Sequence, residues 1–329
     1  ADFNNIQDAI DAASNGDEII VMPGTYTAKS GPHVAETSGK QLLIRSLDGA
    51  SNTFIDGEKV RRGFAFFNSE NAKTIVQGFT IQNGYSEPTD YDGDGLLSWE
   101  DNCGGAIYCG INASPTITNC IIKNNYALYD GGGIYCYYNS NPILENCIFE
   151  ENIAKKNGAG IKCHYGNPIV LNCTIINNHA NDNGGGMLNW NCKPSLTNCT
   201  FSGNTADYRG GGMYNWNSSP TLINCIFTDN TGNSGGGMYN NNSPTLTGTT
   251  VCGNSPDQIY GNWTDNGGNV VADECLLDCP DISGDGIVDV SDLLIVIGYW
   301  GLANSPADLN SDGIVDVSDL LIVVGNWGP

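Results

Sequence analysis

The chain has 329 residues, of which 15% are charged, and its 36 acidic and 13 basic residues give a formal net charge of −23. This acidity argues against nucleic acid and anionic membrane surfaces as partners, because both are bound through basic patches. No run of about 18 apolar residues occurs, so we expect no membrane-spanning helix. The start at Ala1 without a signal-like apolar region favours a mature, secreted extracellular or cell-surface protein.

The first predicted element is a short helix within residues 3–14. Ile6 and Ile10 fall on one face at helical spacing, and Asn15-Gly16 ends the pattern. We expect this helix to cap the first coil of a solenoid, because an uncapped end exposes core and a sheet edge. Less regular strands follow, and Asn83 is expected to begin a ladder of asparagines.

Residues 90–101 contain the acidic pattern Asp-x-Asp-x-Asp-Gly. This pattern is typical of a calcium loop with ligands at positions 1, 3, 5, 7, 9 and 12 and a glycine at the sharp turn. The predicted ligands are Asp90, Asp92, Asp94, Leu96, Ser98 and Asp101. We therefore predict a first calcium site here, and an acidic surface loop without metal is the alternative.

The stretch from Gly104 to Asn254 repeats one pattern six times, and a proline opens each copy at spacings of 27, 26, 26, 26 and 24 residues. Ten positions after each proline lies an asparagine. These are Asn125, Asn152, Asn178, Asn204, Asn230 and Asn254. A fixed period of this length is typical of a solenoid, in which each copy buries its apolar face against its neighbours.

Short strands explain this repeat better than helices do. Apolar positions alternate at a spacing of two, as in Cys147 and Phe149, and Gly, Asn and Pro interrupt every run. The sequence therefore predicts an all-β parallel β-helix whose equivalent residues stack about 4.8 Å apart. Buried asparagines are expected to hydrogen-bond to one another and to the turn backbone, because an unpaired buried amide is costly.

Two repeated motifs resemble those of a known family. Gly104-Gly-Ala-Ile107 and three later segments resemble the paired GGAI and FxxN repeats of polymorphic outer membrane proteins, which are surface-exposed β-helices. The FxxN copies are Phe149–Asn152, Phe201–Asn204 and Phe227–Asn230. The segment from Glu18 to Tyr26 is similar to the first coil of pectin-lyase-like β-helices. These resemblances imply a right-handed parallel β-helix, which we place at residues 1–272.

Two further acidic loops lie 27 residues apart in residues 281–329, after a linker at residues 273–280. The predicted ligands are Asp281, Ser283, Asp285, Ile287, Asp289 and Asp292 in one loop, and Asp308, Asn310, Asp312, Ile314, Asp316 and Asp319 in the other. Each loop precedes an apolar run. This tandem arrangement resembles the type I dockerin module, a small α-helical domain. The resemblance implies calcium in both loops, which makes three Ca²⁺ sites in the chain, and a cohesin-type partner.

The chain has 13 cysteines, most of them in columns of the repeat. We expect these to be buried free thiols, because parallel stacking sets their Cβ atoms side by side instead of facing each other. Among the cysteines outside the columns, Cys275 and Cys279 are the expected disulfide pair if the protein is exported.

The sequence indicates no catalytic residue with any force. The one candidate cluster is His164 with Lys162 and Tyr165, and an ordinary exterior strand is the preferred interpretation. An outward aromatic column either stacks on sugars or stabilises the solenoid. Its members are Tyr108, Tyr135, Tyr214 and Tyr239, with Trp190 and Trp216 nearby.

Two functions therefore stay open. The preferred one is a non-enzymatic extracellular structural or surface protein, a calcium-stabilised β-helix that assembles with copies of itself through its dockerin-like module, head-to-tail into filaments. The alternative is a polysaccharide lyase or hydrolase, or a glycan-binding protein, docked to a cohesin-type scaffold. Converging acids and bases in a cleft would favour the enzyme.

Overall fold

The computed structural model describes residues 3–86, 102–273, 275, 290–301, 307, 314–317, 320 and 323. The chain divides into two compact units, Ala1–Asp273 and Glu274–Pro329. None of the helices among the described residues is long and apolar enough to cross a membrane.

The first unit begins with helix α1 (Ile6–Ala12) and continues as short strands. The strands are β1 (Glu18–Val21), β2 (Gly24–Tyr26), β3 (His33–Glu36), β4 (Leu43–Ser46), β5 (Thr53–Asp56), β6 (Arg62–Phe66), β7 (Ile75–Gln77), β8 (Thr80–Gln82), β9 (Tyr85–Ser86), β10 (Ile107–Cys109), β11 (Thr116–Thr118), β12 (Ile121–Lys123), β13 (Tyr126–Ala127), β14 (Ile134–Tyr137), β15 (Ile143–Glu145), β16 (Ile148–Glu150), β17 (Ile153–Ala154), β18 (Ile161–His164), β19 (Ile169–Leu171), β20 (Thr174–Ile176), β21 (His179–Ala180), β22 (Met187–Trp190), β23 (Ser195–Thr197), β24 (Thr200–Ser202), β25 (Thr205–Ala206), β26 (Met213–Trp216), β27 (Thr221–Ile223), β28 (Ile226–Thr228), β29 (Met238–Asn240), β30 (Thr245–Thr247), β31 (Thr250–Cys252), β32 (Ile259–Tyr260), β33 (Thr264–Asp265) and β34 (Val270–Ala272).

These strands stack into four parallel sheets, and a coil contributes at most one strand to each sheet. Within the described residues, sheet A contains β1, β4, β7, β11, β15, β19, β23, β27, β30 and β33; sheet B contains β2, β5, β8, β12, β16, β20, β24, β28, β31 and β34; sheet C contains β3, β6, β10, β14, β18, β22, β26, β29 and β32; and sheet D contains β9, β13, β17, β21 and β25. The predicted parallel β-solenoid is confirmed.

The register of the sheets matches the columns read from the sequence. In sheet B, Phe201 lies beside Phe227, and in sheet C, Met187 lies beside Met213. The rings of Phe201 and Phe227 stack 4.5 Å apart with an interplanar angle of 3°. Both are fully buried, in one apolar core that extends from Ile6 to Val251.

Helix α1 closes the first coil, as predicted, although it ends at Ala12 and not at Asn15-Gly16. Asn5 caps it by accepting a hydrogen bond from the backbone N–H of Asp8 at 2.8 Å. The helix buries Ile6 and Ile10 in the solenoid core.

The asparagine ladder satisfies its own buried amides, as predicted. Asn178, for example, donates from Nδ2 to Oδ1 of Asn204 at 2.9 Å and to the carbonyl oxygen of Phe149 at 2.9 Å. Gln258 ends the ladder by accepting from Nδ2 of Asn254 at 2.9 Å. Each amide thus binds both the next coil and the sheet B strand of the preceding one.

The expected start of the ladder at Asn83 is wrong by one position. Gly84 occupies that column, and its backbone N–H donates to Oδ1 of Asn125 at 2.7 Å. Asn83 is the preceding turn residue, with φ of 51°, and its side chain donates to Asp56. The prediction failed because the early coils are irregular, so the spacing between equivalent residues there does not locate the asparagine column.

The second unit contains helix α2 (Val290–Gly298). Side chains 27 residues apart in this unit are buried or exposed to the same extent. Val296 and Val323 are fully buried in a small core with Ala307 and Val315. Val290 and Val317 are the equivalent exposed pair, 53% and 54% accessible.

Ten of the described cysteines are free and buried. Eight of them are the column cysteines, for which this was predicted, and the other two, Cys103 and Cys192, lie outside the columns. Cys252 and Cys275 are both disulfide-bonded. The expected pairing of Cys275 with Cys279 is wrong, because with ten cysteines free it would leave Cys252 without a partner for its own disulfide.

Candidate functional site

The outer face of sheet C carries a layer of large side chains that is mostly covered. The outward aromatic column, for which sugar stacking and stabilisation of the solenoid were the two alternatives, forms this layer: Tyr108 is 7% exposed, Tyr135 is fully buried and Tyr214 is 4% exposed. Tyr108 and Tyr135 stack with their centroids 5.6 Å apart. This column therefore stabilises the solenoid, and its buried rings offer no free surface to a sugar.

Lys162 belongs to the same covered layer and is 3% exposed. Its Nζ lies 3.4 Å from Oδ2 of Asp130, which is also buried, and 5.5 Å from the ring centroid of Trp190. A buried ion pair has little freedom, because separating it leaves an uncompensated buried charge. The structure thus places Lys162 beneath the surface and pairs its ammonium group with Asp130, whereas Tyr165 is exposed.

The hydroxyl of Tyr135 and Nδ1 of His164 are 3.1 Å apart, so the covered layer is hydrogen-bonded to the residues above it. Burial is the main cause that raises the pKa of Tyr135 well above its ordinary value, and the nearby Cys103 and Asp130 raise it further. The phenol is therefore neutral at physiological pH and is suited to orient the imidazole ring.

Above this layer lies a second set of rings, which we call the aromatic row. Its members are Tyr137, Tyr138, His164, Tyr165, Trp190 and Trp216. Tyr138 is 52% exposed, Tyr165 46% and Trp190 36%. Tyr138 and Tyr165 lie 5.4 Å apart, and Trp190 and Trp216 stack at 5.5 Å. The row follows the strand ends of β14, β18, β22 and β26, so it runs across four consecutive coils.

A line of exposed amides runs beside the aromatic row, at the turns after the sheet C strands β10, β14, β22 and β26. Nδ2 of Asn139 donates to Oδ1 of Asn112 at 2.6 Å, and Nδ2 of Asn217 donates to Oδ1 of Asn191. These four asparagines have φ between 48° and 60°. Asparagine is favoured there because its short polar side chain tolerates the left-handed region.

Tyr165 occupies that same turn position in its own coil and has φ of 56°. A bulky residue in the left-handed region is uncommon and is strained by about 1–3 kcal/mol. Its backbone N–H still donates to the carbonyl oxygen of Trp190 at 3.0 Å, so the turn itself matches its neighbours. Tyr165 is therefore an exposed ring placed where the fold favours asparagine.

Most predicted calcium ligands lie outside the described residues. They are Asp90, Asp92, Asp94, Leu96, Ser98, Asp101, Asp281, Ser283, Asp285, Ile287, Asp289, Asp308, Asn310, Asp312, Asp319 and the side chain of Asp292. Of the remaining two, Ile314 is 45% exposed, and the carbonyl oxygen of Asp316 accepts from the N–H of Leu320 at 3.3 Å, as in a helical turn. The calcium sites stay a prediction.

A family model described as the right-handed β-helix region matches residues 44–220, more than half of the chain. The chain belongs to the right-handed β-helix family. The sequence has no significant match among curated proteins. As a family member, it matches the crystal structure of pectate lyase Pel9A with a TM-score of 0.38 and 13% identity, covering 80% of this chain and 61% of that one.

A second match of this β-helix is the receptor-binding domain of the siphovirus 9NA tailspike. It has a TM-score of 0.22 and 11% identity, and covers 83% of this chain and 74% of that one. The chain spans less than two thirds of the pectate lyase. At these identities, both matches concern the fold alone.

The sequence did not single out two rings of the row, Tyr138, which is exposed, and Tyr137, which is partly buried. The repeat itself contains a signal for these rings. An asparagine stands at the turn after several of the sheet C strands, and the pattern is interrupted where a tyrosine takes that position or the one before it. Tyr165, assigned to an exterior strand, lies in that turn instead. The sequence does not reveal which outward residues are covered, because that depends on contacts between coils.

Proposed function

We propose that this β-helix binds a neutral polysaccharide chain along the aromatic row of sheet C, as a non-enzymatic surface-binding protein. The observation that carries the proposal is Tyr165, an exposed ring kept in a strained backbone conformation where neighbouring coils have asparagine. Strained residues persist where the surrounding structure holds them, and they cluster at functional sites. Aromatic rings pack against the C–H faces of sugars, and the adjacent amides both donate to and accept from hydroxyl groups.

Charge favours a neutral glycan over an acidic one. Within the row only His164 is titratable near neutral pH, and the amide line beside it is uncharged. Lys162, the nearest cation of the strand, is buried against Asp130. An anionic polysaccharide would meet a chain of net charge −23 with few basic groups to bind it.

The geometry favours binding over catalysis. A lyase needs an accessible base, and Lys162 is covered and paired with Asp130. His164 has Nδ1 at hydrogen-bond distance from Tyr135, and no pair of converging carboxylates lies among the described residues of the row. The extended row across four coils suits a long chain held at several sugar rings.

The experiment is titration calorimetry of the full chain with cellohexaose, xylohexaose, mannohexaose and laminarihexaose, and with hexagalacturonate as the acidic counterpart. At least one neutral oligomer should bind, and Tyr165→Asn should weaken it tenfold or more, which corresponds to about 1.4 kcal/mol. Tyr208→Asn is the control, because Tyr208 is 57% exposed but lies outside the row. Binding of hexagalacturonate alone, or of none of the five, would overturn the proposal.

From the sequence we also propose three calcium sites, at residues 90–101, 281–292 and 308–319, and an extracellular location. We propose further that residues 281–329 bind a second copy of the chain. A cohesin-type protein is the alternative partner. These proposals are supported by the acidic loop patterns and by the 27-residue repetition of burial around Val296 and Val323.

A further inference from the structure

A groove lies on another side of the solenoid, where the turns after sheet B lead into sheet D. It is a cavity of about 470 Å³ that opens to solvent. Its lining includes Lys59, Tyr85, Tyr126, Glu151 and Ile153. The volume falls in the range of small-molecule sites, which run from roughly 300 to 1,000 Å³.

The wall of the groove is apolar and built on regular ladder pairing. Tyr85 and Tyr126 are neighbours in sheet D, and their rings stack 5.5 Å apart with an interplanar angle of 10°. Ile153 continues the column in the next coil and is 39% exposed. The backbone N–H of Tyr126 donates to the carbonyl oxygen of Gly84 at 2.9 Å, and that of Ile153 donates to Asn125 at 2.8 Å. The solenoid thus holds this wall rigidly.

Two charged residues of opposite sign border this wall, and both are in the left-handed region. Lys59 has φ of 60° and Glu151 has φ of 53°. Glu151 stands at the turn position that Asn124 and Asn177 occupy in neighbouring coils. Asparagine tolerates this conformation better than glutamate does. The requirements of the turn therefore do not explain why position 151 has a glutamate.

Lys59 and Glu151 belong to coils three rungs apart, so their backbones are separated by about 14 Å along the solenoid axis. Neither forms an ion pair within the described part of the chain. A ligand along the groove would therefore meet an ammonium group near one end, a carboxylate near the other and aromatic rings between them.

Hydroxyl groups satisfy both ends at once, because a hydroxyl donates to a carboxylate and accepts from an ammonium group. A carboxylate or ammonium ligand would complement one end and be repelled by the other. The apolar wall matches the C–H face of a sugar ring, and the span of about 14 Å exceeds a single ring.

We propose that this groove is a second glycan site, which takes a short neutral oligosaccharide segment lying parallel to the solenoid axis. Glu151 accepts hydrogen bonds from sugar hydroxyls, Lys59 donates to hydroxyl oxygens, and Tyr85, Tyr126 and Ile153 pack against the rings. The inference rests on the proposed function only for the class of ligand, since the groove shares no residue with the aromatic row. Two sites on different faces would let one molecule link two glycan chains.

The test uses the full chain and four disaccharides, namely cellobiose, xylobiose, maltose and mannobiose, with saturation-transfer NMR to detect contact and calorimetry to measure affinity. The variant is Glu151→Asn, which restores the residue found in the neighbouring turns. We expect its melting temperature to rise, because strain is removed, while affinity for the bound disaccharide falls tenfold or more. Asp229→Asn is the matched control, because Asp229 lies in the same turn column with φ of 56° but outside the groove.

The aromatic-row variant Tyr165→Asn separates the two sites. Disaccharide binding that is lost in Glu151→Asn but kept in Tyr165→Asn and Asp229→Asn supports the groove. The groove proposal is overturned if no disaccharide binds, or if binding survives Glu151→Asn. In the second case, loss of binding in Tyr165→Asn would leave the aromatic row as the site. Loss of hexaose binding in Tyr165→Asn, with disaccharide binding unchanged, would support both sites.

Discussion

Each residue of a coil has one of three environments: the core, a covered position on the outer face, or an exposed position on the outer face. Phe201 lies in the core, Tyr135 lies on the outside but is covered, and Trp190 is 36% exposed. The alternation of side chains along a strand decides whether a residue points inward or outward. Whether an outward residue is covered depends on rings and loops from other coils. Function is available only to residues of the third kind, which is why the exposed row and not the covered column is the candidate surface.

His33 in β3 should make the fold sensitive to mild acid. It is 9% exposed, packs against Phe67 with ring centroids 5.4 Å apart and is the register neighbour of Arg62. Burial first, and the Arg62 charge second, lower its pKa well below the ordinary value of 6.5. Below about pH 6.5, His33 therefore becomes protonated in the unfolded chain but stays neutral in the folded chain.

The contribution of neutral His33 to the free energy of unfolding is thus fully present above pH 6.5. It is lost as the pH falls below 6.5, by at most about 1.4 kcal/mol per pH unit. We expect the melting temperature to fall between pH 7 and pH 5.5 more steeply in the native protein than in His33→Gln. Parallel pH profiles for the two proteins would contradict this assignment.

The sequence predicted inward residues well and covered ones poorly. Phe201 and Phe227 were assigned to the core from their spacing alone, since period-two alternation and a fixed repeat leave one choice of register. Tyr108 and Tyr135 were correctly placed outside, but spacing alone left open whether their rings are accessible to a sugar or packed as part of the solenoid. The left-handed turns at Tyr165 and Glu151 are indicated only by comparison with neighbouring coils, in which asparagine occupies the equivalent positions.

Among the elements, the turns determine the length of the strands, because each turn residue in the left-handed region ends the strand before it. Between sheets A and B, Asn119, Asn146 and Asn172 have φ between 51° and 53° and end the preceding strand. These turns recur at the repeat spacing, so the strand boundaries were predictable. The early coils lack this regularity, and there the expected ladder position of Asn83 was one residue off.

Helix α2 and its repeat should depend on calcium more than the strands do. Their core contains only Val296, Ala307, Val315 and Val323, with three partly buried neighbours, among the described residues. So small a core stabilises weakly, and bound metal contributes to folding directly. Calcium at a hundredfold excess over its dissociation constant would add about 2.7 kcal/mol per independent site.

We therefore expect a chelator to lower the melting temperature of residues 281–329 and to leave the β-helix transition in place. Asp312→Ala should reproduce this effect in millimolar-range calcium, the weak end of extracellular affinities. Asp48→Ala, at an exposed acid of the β-helix, is the control. Scanning calorimetry that shows the same C-terminal transition with and without calcium would rule out a stabilising role for the ion.

Across the whole molecule, the question is whether the second unit joins copies of the chain. Helix α2 buries Val296 on one side, while Val290, Leu294 and Ile297 are 53%, 61% and 50% exposed on another. These three residues are spaced at i, i+4 and i+7, so they form one apolar stripe. An exposed apolar stripe of this kind marks an interaction surface when it extends into a larger patch.

If the stripe binds a different surface of a second copy, the contact is heterologous, and a heterologous contact that does not close a ring builds a filament. We expect the full chain in millimolar-range calcium to associate in light scattering, and a chain lacking residues 281–329 to remain a folded monomer by circular dichroism and scattering. Leu294→Glu should also give monomers, because it places a charge in the stripe, whereas Asp48→Ala should associate as the native chain does. A full chain that stays monomeric in calcium would exclude self-assembly, and the stripe would then be the docking surface for a separate protein.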